Sequence, residues 1–174
     1  LMDEAARAVG EEPIFWLLPY RSLKVGVVTT GSEVAHGRIK DTFTPVLDAK
    51  LRAFGLSVNE HRISDDALEH TQAAIEELLD LGMDMVLCTG GMSVDPDDRT
   101  PAAIRAAGAE VVTYGAPVLP GAMFLLAYAE RDGRTVPVLG LPGCVMYSAA
   151  TIFDIVLPRI LAGERVTRRE IRRL

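Results

Sequence analysis

Residues 89–101 combine a glycine pair, a serine and three aspartates, a set of residues suited to phosphate or metal chemistry. They read Thr-Gly-Gly-Met-Ser-Val-Asp-Pro-Asp-Asp-Arg-Thr-Pro and follow an apolar run that ends at Cys88. Gly90 and Gly91 lack a Cβ, so the backbone can turn sharply and bring its amides close to an anionic ligand. Carboxylate oxygens are the ligands that hard divalent cations prefer, and this loop offers Asp95, Asp97 and Asp98. The pattern predicts an anion cradle beside a cation site.

Two further glycine-bearing loops follow apolar runs elsewhere in the chain. Residues 29–33 read Thr-Thr-Gly-Ser-Glu, and residues 140–143 read Gly-Leu-Pro-Gly. A single glycine turn after a strand often does no more than reverse the chain. Three such loops after parallel strands would meet at one edge of the sheet, where open α/β sheets bind their ligands. Asp41, just before the first long helical pattern, would add a carboxylate there or simply stabilise the start of that helix.

The elements that must position these loops alternate between strand and helix from residue 23 onward. A short apolar run typical of a buried parallel strand lies at 24–29, and further strands are predicted at 56–63 and 83–89. Right-handed βαβ connections then give a parallel sheet with helices on both faces. Further strands are predicted at 110–113, 124–129 and 136–140, the last two flanking a polar turn that favours a hairpin. The expected fold is a three-layer α/β/α sandwich with a mostly parallel central sheet and an antiparallel marginal hairpin.

Capping residues and glycines predict where the helices begin and end. Asp65 and Asp66 are typical N-cap residues for the second long helix, and Thr100 before a proline is typical of the N-cap of the next one. Residues 145–161 predict one apolar final helix, which Pro158 would kink or end. Three glycines are expected just beyond helix ends: Gly55, Gly82 and Gly108.

The ends of the chain differ in character from its centre. The chain has 174 residues, of which 49% are hydrophobic, and this is enough for one globular domain. Residues 1–22 are interpreted as a lead-in whose apolar part around Trp16 packs on the domain or on a neighbouring subunit. Residues 23–162 form the domain itself. Residues 163–174 are interpreted as a basic tail, a solvated helix end or linker.

Composition argues against several classes of function and setting. The formal net charge of −6 does not favour a nucleic-acid-binding protein, and no apolar stretch is long enough to span a membrane. Cys88 and Cys144 are the only cysteines, and they give no disulfide framework, which fits a reducing, cytoplasmic setting. The three histidines show no spacing typical of metal ligands: His36, His61 and His70.

Taken in order, the short motifs of this chain resemble those of molybdopterin-binding domains, as found in MoaB and MogA proteins and in the central part of MoeA and gephyrin. The motifs lie at residues 29–34, 37–41, 89–101, 118–121 and 140–143. The resemblance covers about residues 23–162 and implies the three-layer fold predicted above. It implies that the ligand is molybdopterin, a pterin dithiolene with a terminal phosphate. MogA-like members adenylylate molybdopterin with ATP and magnesium, and MoeA-like members insert molybdate into the adenylylated product.

The resemblance also assigns roles to individual residues. Asp98 and Asp41 fall on aspartates of the family and would be both catalytic residues and ligands of Mg²⁺. The implied partner is molybdopterin or its adenylylated form, and because relatives assemble as trimers or dimers, a homo-oligomer is expected. Ten residues of the three loops would hold the ligand: Thr30, Gly31, Ser32, Glu33, Gly90, Gly91, Met92, Ser93, Pro142 and Gly143.

Departures from the family pattern leave two alternatives open. MogA-like members have an arginine where this chain has Asp97, and MoeA-like members have an asparagine where it has Phe43. The lost positive charge and the lost amide would suit a noncatalytic carrier or sensor of molybdopterin. Residues 31–39 also resemble the amino-terminal domain of CinA-type proteins, which would imply hydrolysis of a nucleotide pyrophosphate.

Overall fold

The computed structural model describes residues 15–93, 95 and 97–174, so most of the lead-in, residues 1–14, lies outside the described part. One sheet has the strand order β2-β1-β3-β6-β5-β4. The strands are β1 Val25–Thr30, β2 Val58–Ser64, β3 Met85–Thr89, β4 Glu110–Tyr114, β5 Leu125–Arg131 and β6 Arg134–Leu141. The first four in sheet order are parallel, while β5 is antiparallel to both of its neighbours. The expected mostly parallel sheet with an antiparallel margin is confirmed.

Helices cover both faces of this sheet, as expected for a three-layer sandwich. They are α1 Ser32–Ala35, α2 Phe43–Arg52, α3 Leu68–Asp80, α4 Thr100–Ala106, α5 Cys144–Tyr147, α6 Ile152–Leu161 and α7 Arg168–Ile171. Successive strand residues point to opposite faces, so Leu87 joins the buried cluster with α2 and α6. Val86 and Cys88 join the cluster with α3 and α4 on the other face. Two apolar layers thus hold the sheet between two pairs of helices.

The hairpin between β5 and β6 forms at the predicted turn. Arg131 pairs with Arg134 across the sheet, and only two residues connect them. Asp132 has φ 50° and Gly133 has φ 72°, the left-handed pair that a type I′ turn requires. An Asp-Gly sequence therefore fixes both the turn and the register of the marginal strands.

The prediction of one final helix over residues 145–161 is wrong. The chain forms α5 and α6, which are separated by residues 148–151. Thr151 caps α6, because its Oγ1 accepts from the amide of Phe153 at 3.2 Å while Asp154 accepts from the amide of Thr151 at 2.8 Å. This capping box starts a new helix inside an apolar run. Pro158 lies within α6, which continues to Leu161, so it does not end the helix.

Two predicted N-caps are also wrong, because the polar side chains have partners elsewhere. Arg99 is the N-cap of α4, and the Thr100 hydroxyl donates instead to the carbonyl of Gly90 at 2.8 Å. The N-cap of α3 is Ala67, whose amide donates to Asp65 at 3.0 Å, while Asp66 accepts from the amide of Ser32. The sequence identified polar residues at the correct turns but not the loops that they contact.

The basic tail is anchored to the domain rather than solvated along its length. Val166 and Ile171 are buried, and the amide of Val166 donates to the hydroxyl of Tyr128 at 2.9 Å. Thr167 and Glu170 form a capping box at the start of α7, and Glu170 also pairs with Arg159. Hydrogen bonds from Thr167 and then Arg159 lower the pKa of Glu170 to about 2. The division of the chain after residues 22 and 162 stays a prediction.

The apolar residues around Trp16 do not pack on the domain, which was one of the two positions expected for this part of the lead-in. Trp16 is 72% exposed and Leu17 is 99% exposed. Contact with the domain begins at Tyr20, whose ring lies edge-on to Phe54 with centroids 5.3 Å apart. The amide of Arg21 then donates to the carbonyl of Leu161 at 2.8 Å, so the segment leading into β1 runs beside the end of α6.

Candidate functional site

The three glycine-bearing loops begin side by side at one edge of the sheet. Strands β1, β3 and β6 are parallel neighbours, and Thr89 is in register with Thr29 on one side and Leu141 on the other. Neighbouring strands lie about 4.8 Å apart, so the loops start within roughly 10 Å of one another. We call the loops at residues 30–33, 90–93 and 141–144 the rim. Their convergence agrees with the expectation from the strand order.

The glycine turn after β3 is held against β1 by close packing and by hydroxyl groups. Gly90 has φ 81° and Gly91 has φ 54°, conformations that residues with a Cβ rarely adopt. A Cβ on Gly90 would lie 2.2 Å from the carbonyl oxygen of Thr30. The Thr30 hydroxyl donates to the carbonyl of Thr89 at 3.1 Å, and the Thr100 hydroxyl, 3.3 Å from that of Thr30, donates to the carbonyl of Gly90. Only glycine fits where the two loops touch.

Backbone amides of the rim differ in whether they already have an acceptor. In the first loop, the amide of Gly31 donates to the Ser64 carbonyl at 3.0 Å, and the amide of Ser32 donates to Asp66 at 2.8 Å. Asp66 therefore contacts the rim, whereas sequence reasoning assigned it only to a helix end. Four amides of the other loops have no acceptor among the described residues: Gly91, Met92, Gly143 and Cys144. An anion would therefore be bound between the second and third loops.

Asp98 closes the acidic loop onto the rim. Its Oδ2 accepts from the Ser93 amide at 2.5 Å and from the Ser93 hydroxyl at 2.6 Å. The hydroxyl of Tyr114 donates to the carbonyl of Ser93 at 3.1 Å, so β4 also holds this loop. Burial, and next the charge of Asp98, raise the pKa of Tyr114. Sequence reasoning missed Tyr114, although as the last residue of β4 it ends at the same edge as the rim.

Asp41 lies at the start of α2, where one carboxylate oxygen serves the helix. Its Oδ1 accepts from the amides of Phe43 at 2.8 Å and Thr44 at 3.2 Å. Its Oδ2 lies 3.5 Å from Nε2 of His61. Stabilisation of the helix start, one of the two interpretations of this residue, is therefore observed, and it leaves only Oδ2 for another role.

His61 joins Asp41 to the hydroxyl groups beneath the rim. Its Nε2 lies 3.0 Å from Oγ1 of Thr29 and 3.2 Å from Oγ1 of Thr44. Burial lowers the pKa of His61, and the nearby Asp41 carboxylate partly opposes this. No sequence pattern pointed to His61, because its neighbours come from a different strand and from α2.

A magnesium ion could be held here only with help from a ligand. The described residues contain no group of three His, Cys, Asp or Glu side chains that could hold a metal. Asp41 and Asp98 each use one carboxylate oxygen in hydrogen bonds to backbone amides. Mg²⁺ usually takes one or two carboxylates and completes its shell with phosphate and water. Asp41 and Asp98 each keep one carboxylate oxygen that no backbone amide uses, and among the described residues they do not form a metal cage by themselves.

A family model described as a probable molybdopterin-binding domain matches residues 26–162, which is most of the chain. The chain belongs to this family. The match covers all six strands except the first residue of β1, and it includes every residue assigned to the rim.

Individual relatives of this molybdopterin-binding domain agree with the family match. The molybdopterin molybdenumtransferase of Synechococcus elongatus is 29% identical over 171 residues, which are 93% of this chain and 40% of that protein. The chain spans 40% or less of the length of the curated relatives it matches first.

Solved structures share this fold although their sequences are 20% identical to this chain or less. The tungsten cofactor synthesizing protein MoaB from Pyrococcus furiosus has a TM-score of 0.65 at 20% identity, covering 84% of this chain and 99% of that one. A CinA protein of unknown function from Thermoplasma acidophilum has a TM-score of 0.61 at 17% identity, covering 80% of this chain and 98% of that one. The MoaB/Mog-like fold is therefore confirmed.

The structure brings the predicted ligand-binding residues of this molybdopterin-binding domain together but limits how some can act. The side chain of Met92 is buried, and the Thr30 hydroxyl is bonded within the protein, so these two residues would meet a ligand through their backbones. Asp41 lies deeper, at the start of α2. Their roles in binding stay predictions. No helix of the described residues has the length and apolar character needed to cross a membrane.

Proposed function

We propose that this molybdopterin-binding domain binds molybdopterin, or its adenylylated form, at the rim and takes part in the biosynthesis or delivery of the molybdenum cofactor. One observation carries the proposal. The loops after β3 and β6 begin on neighbouring strands, and four of their amides have no acceptor among the described residues. Such amides suit the terminal phosphate of molybdopterin, because backbone donors bind phosphate oxygens well.

Asp98 and Asp41 are the residues that would handle a cation and a nucleotide in this function. We propose that each offers its second carboxylate oxygen to Mg²⁺, with ATP or the adenylylated pterin supplying phosphate oxygens. Bound Mg²⁺ offsets phosphate charge during nucleotidyl transfer. The domain would then support either adenylylation of molybdopterin or metal insertion into the adenylylated product. The name of the Synechococcus relative supports the second of these.

The direct test is an anaerobic calorimetric titration of the domain with molybdopterin, followed by turnover assays with ATP and magnesium. We expect saturable binding at micromolar protein concentration. In a turnover assay, Asp98→Asn should lower kcat about 100-fold, since losing a cation ligand removes several kcal/mol of transition-state stabilisation. An asparagine oxygen can still accept from Ser93, so the loop should keep its structure.

Asp97→Asn is the matched control, because it removes the same charge from the same loop. The Asp97 amide, not its carboxylate, takes part in the loop's hydrogen bonds among the described residues. We expect Asp97→Asn to change kcat less than threefold, on the scale of an exposed charge. Equal losses in the two variants would remove Asp98 from the proposed chemistry. Binding without any turnover would instead leave a noncatalytic carrier.

A second candidate, hydrolysis of a nucleotide pyrophosphate, is favoured by one observation. The segment that resembles CinA-type proteins, residues 31–39, forms α1 and the turn after it, and it lies at the rim. A CinA structure also shares the fold. Release of AMP from ADP-ribose in the presence of a divalent metal would support this function, and no release would count against it.

We also propose that the protein is a cytoplasmic homo-oligomer. The exposed run from Phe15 to Leu18 would be covered by a second copy, because a patch with Trp16 and Leu17 in water favours association. Light scattering should give a dimer or trimer for the wild type and a monomer for Trp16→Ser. Tyr147→Ser, at another exposed aromatic residue, is the control and should not change the mass. A monomeric wild type would contradict this part of the proposal.

A further inference from the structure

A cavity of about 460 Å³ lies at the margin of the sheet, beyond the end of β4. Its walls are the segment from Thr113 to Pro117 and two arginines, Arg168 at the start of α7 and Arg172 at its C-cap. The segment is held in place by hydrogen bonds, including one from the Thr113 hydroxyl to the carbonyl of Gly115 at 2.8 Å. None of the predicted loops belongs to this cavity.

The sheet topology places this cavity on the same edge as the rim. Because β4 and β6 are both antiparallel to β5, they run in the same direction, and Leu125 of β5 pairs with both Tyr114 and Gly140. Tyr114 therefore ends level with the strand that carries the third loop. Three strand spacings of about 4.8 Å separate β3 from β4, so the cavity opens roughly 14 Å along the edge from the glycine turn.

The charge of this cavity is positive although the whole chain is acidic. Arg168 and Arg172 are four residues apart, so their side chains share one face of α7. No acidic residue lines the cavity, and neither arginine forms an ion pair within the part of the chain that the structure describes. By contrast, Arg159 and Arg165 of the same region contact carboxylates. A guanidinium keeps its charge at all relevant pH values and matches a phosphate with two donors.

The helix that carries the two arginines is fixed to the domain. Ile171, which lies between the two arginines in the sequence, is buried. Thr167 and Glu170 form a capping box at the first turn. Glu170 is in turn paired with Arg159 of α6. The arginines therefore project from an anchored backbone, so an anion that binds them need not order the helix first.

Tyr114 connects the cavity to the acidic loop. Its ring lines the cavity, while its hydroxyl donates to the carbonyl of Ser93, the residue that binds Asp98. A ligand that runs along the edge from the glycine turn would pass the acidic loop before reaching the arginines. The position of the arginines suits a ligand with two separated anionic groups.

We propose that Arg168 and Arg172 form a second phosphate subsite on the same edge of the sheet as the rim, which takes a diphosphate or nucleotide phosphate. The assignment of that phosphate to the molybdopterin reaction rests on the proposed function, whereas the anion site itself does not.

Calorimetric titration of the full chain with inorganic pyrophosphate tests the subsite. The double variant Arg168→Gln/Arg172→Gln should bind pyrophosphate at least about tenfold more weakly than the wild type, a difference of about 1.4 kcal/mol. The matched control is Arg169→Gln/Arg173→Gln, which removes the same charge from the same helix outside the cavity. Its affinity should stay within about twofold of wild type, because long-range attraction between exposed charges is screened. All four arginines are exposed, so both variants should keep the fold.

The outcomes separate the subsite from the proposed function. Equal weakening of pyrophosphate binding in both double variants would show only a net-charge effect and would overturn the subsite. The subsite would also be overturned if the wild type did not bind pyrophosphate, or if Arg168→Gln/Arg172→Gln bound it as tightly as the wild type. If the cavity variant alone weakens while molybdopterin fails to bind the wild type, the subsite stands and the proposed function falls. If molybdopterin binds but the pyrophosphate contrast is missing, only the subsite falls.

Discussion

Gly90→Ala is expected to lower the free energy of unfolding by at least about 3 kcal/mol, since it adds a left-handed strain to an overpacked contact. The added methyl group would lie 2.2 Å from a backbone oxygen of Thr30, the last residue of β1, which lies between β2 and β3 in the sheet. Neither the strand nor the turn can move away without breaking the bonds of Thr30 and Thr100. Urea unfolding followed by circular dichroism measures the loss. Molybdopterin binding should disappear in the same variant.

Gly108→Ala is the matched control for this substitution. Gly108 has φ 83°, close to the φ of 81° at Gly90, but a Cβ there would meet no atom within 4 Å. The two variants therefore share the backbone strain and differ in the close contact. We expect Gly108→Ala to cost about 1 kcal/mol and to leave binding unchanged. Similar losses in both variants would contradict the tight contact between the first two loops.

Lys50→Met should destabilise the protein by about 2 kcal/mol, because it removes the donor that joins α2 to the break between α5 and α6. The Lys50 ammonium donates to Asp154 at 2.7 Å and to the carbonyl of Ala149 at 2.9 Å. Its side chain is only 13% exposed, so water cannot readily replace it. Methionine keeps the apolar stem and leaves the two acceptors without their partner. The unfolding midpoint in urea is the measurement.

Arg52→Met, two residues further along α2, is the comparison. Arg52 also forms an ion pair, with Asp48 at 2.7 Å, but its side chain is 72% exposed. An exposed pair of this kind contributes about 0.5 kcal/mol or less. If Arg52→Met were as destabilising as Lys50→Met, the stability of the α5–α6 break would not depend on the lysine.

The fold could be predicted largely because its determinants are local. Apolar runs marked the buried strands, and the Asp-Gly pair at 132–133 fixed the hairpin and its register. The helix after β3 was found because a proline follows Thr100 and a glycine follows its end. These signals lie within a few residues of the elements that they specify, so a single sequence contains them.

What the sequence did not show depends on partners far apart in the chain. Asp66 binds the amide of Ser32 across 34 residues, and Lys50 reaches Ala149 across 99 residues. Capping by Thr151 broke a helix that periodicity alone would have continued. The same holds at the rim, where the contact of Tyr114 with Ser93 follows only from the order of strands at the sheet margin. Local sequence patterns predicted where the loops lie, but the strand order of the sheet determined which side chains form hydrogen bonds with them.

The contact between Arg21 and Leu161 bears on how this domain could be inserted into other proteins. Arg21 lies four residues before β1, and Leu161 is the last residue of α6, so this backbone hydrogen bond brings the two ends of the matched region together. Domains whose two ends lie together can be spliced into a surface turn of another protein without stretching their host. Here the two ends meet at the amino ends of the parallel strands, on the side of the sheet opposite the rim. A protein that carried this domain as an insertion would be joined to it on that side, and the loops of the rim would stay open to small molecules. A domain with this geometry could be inserted into a longer protein by gene fusion without any change to the loops of the rim.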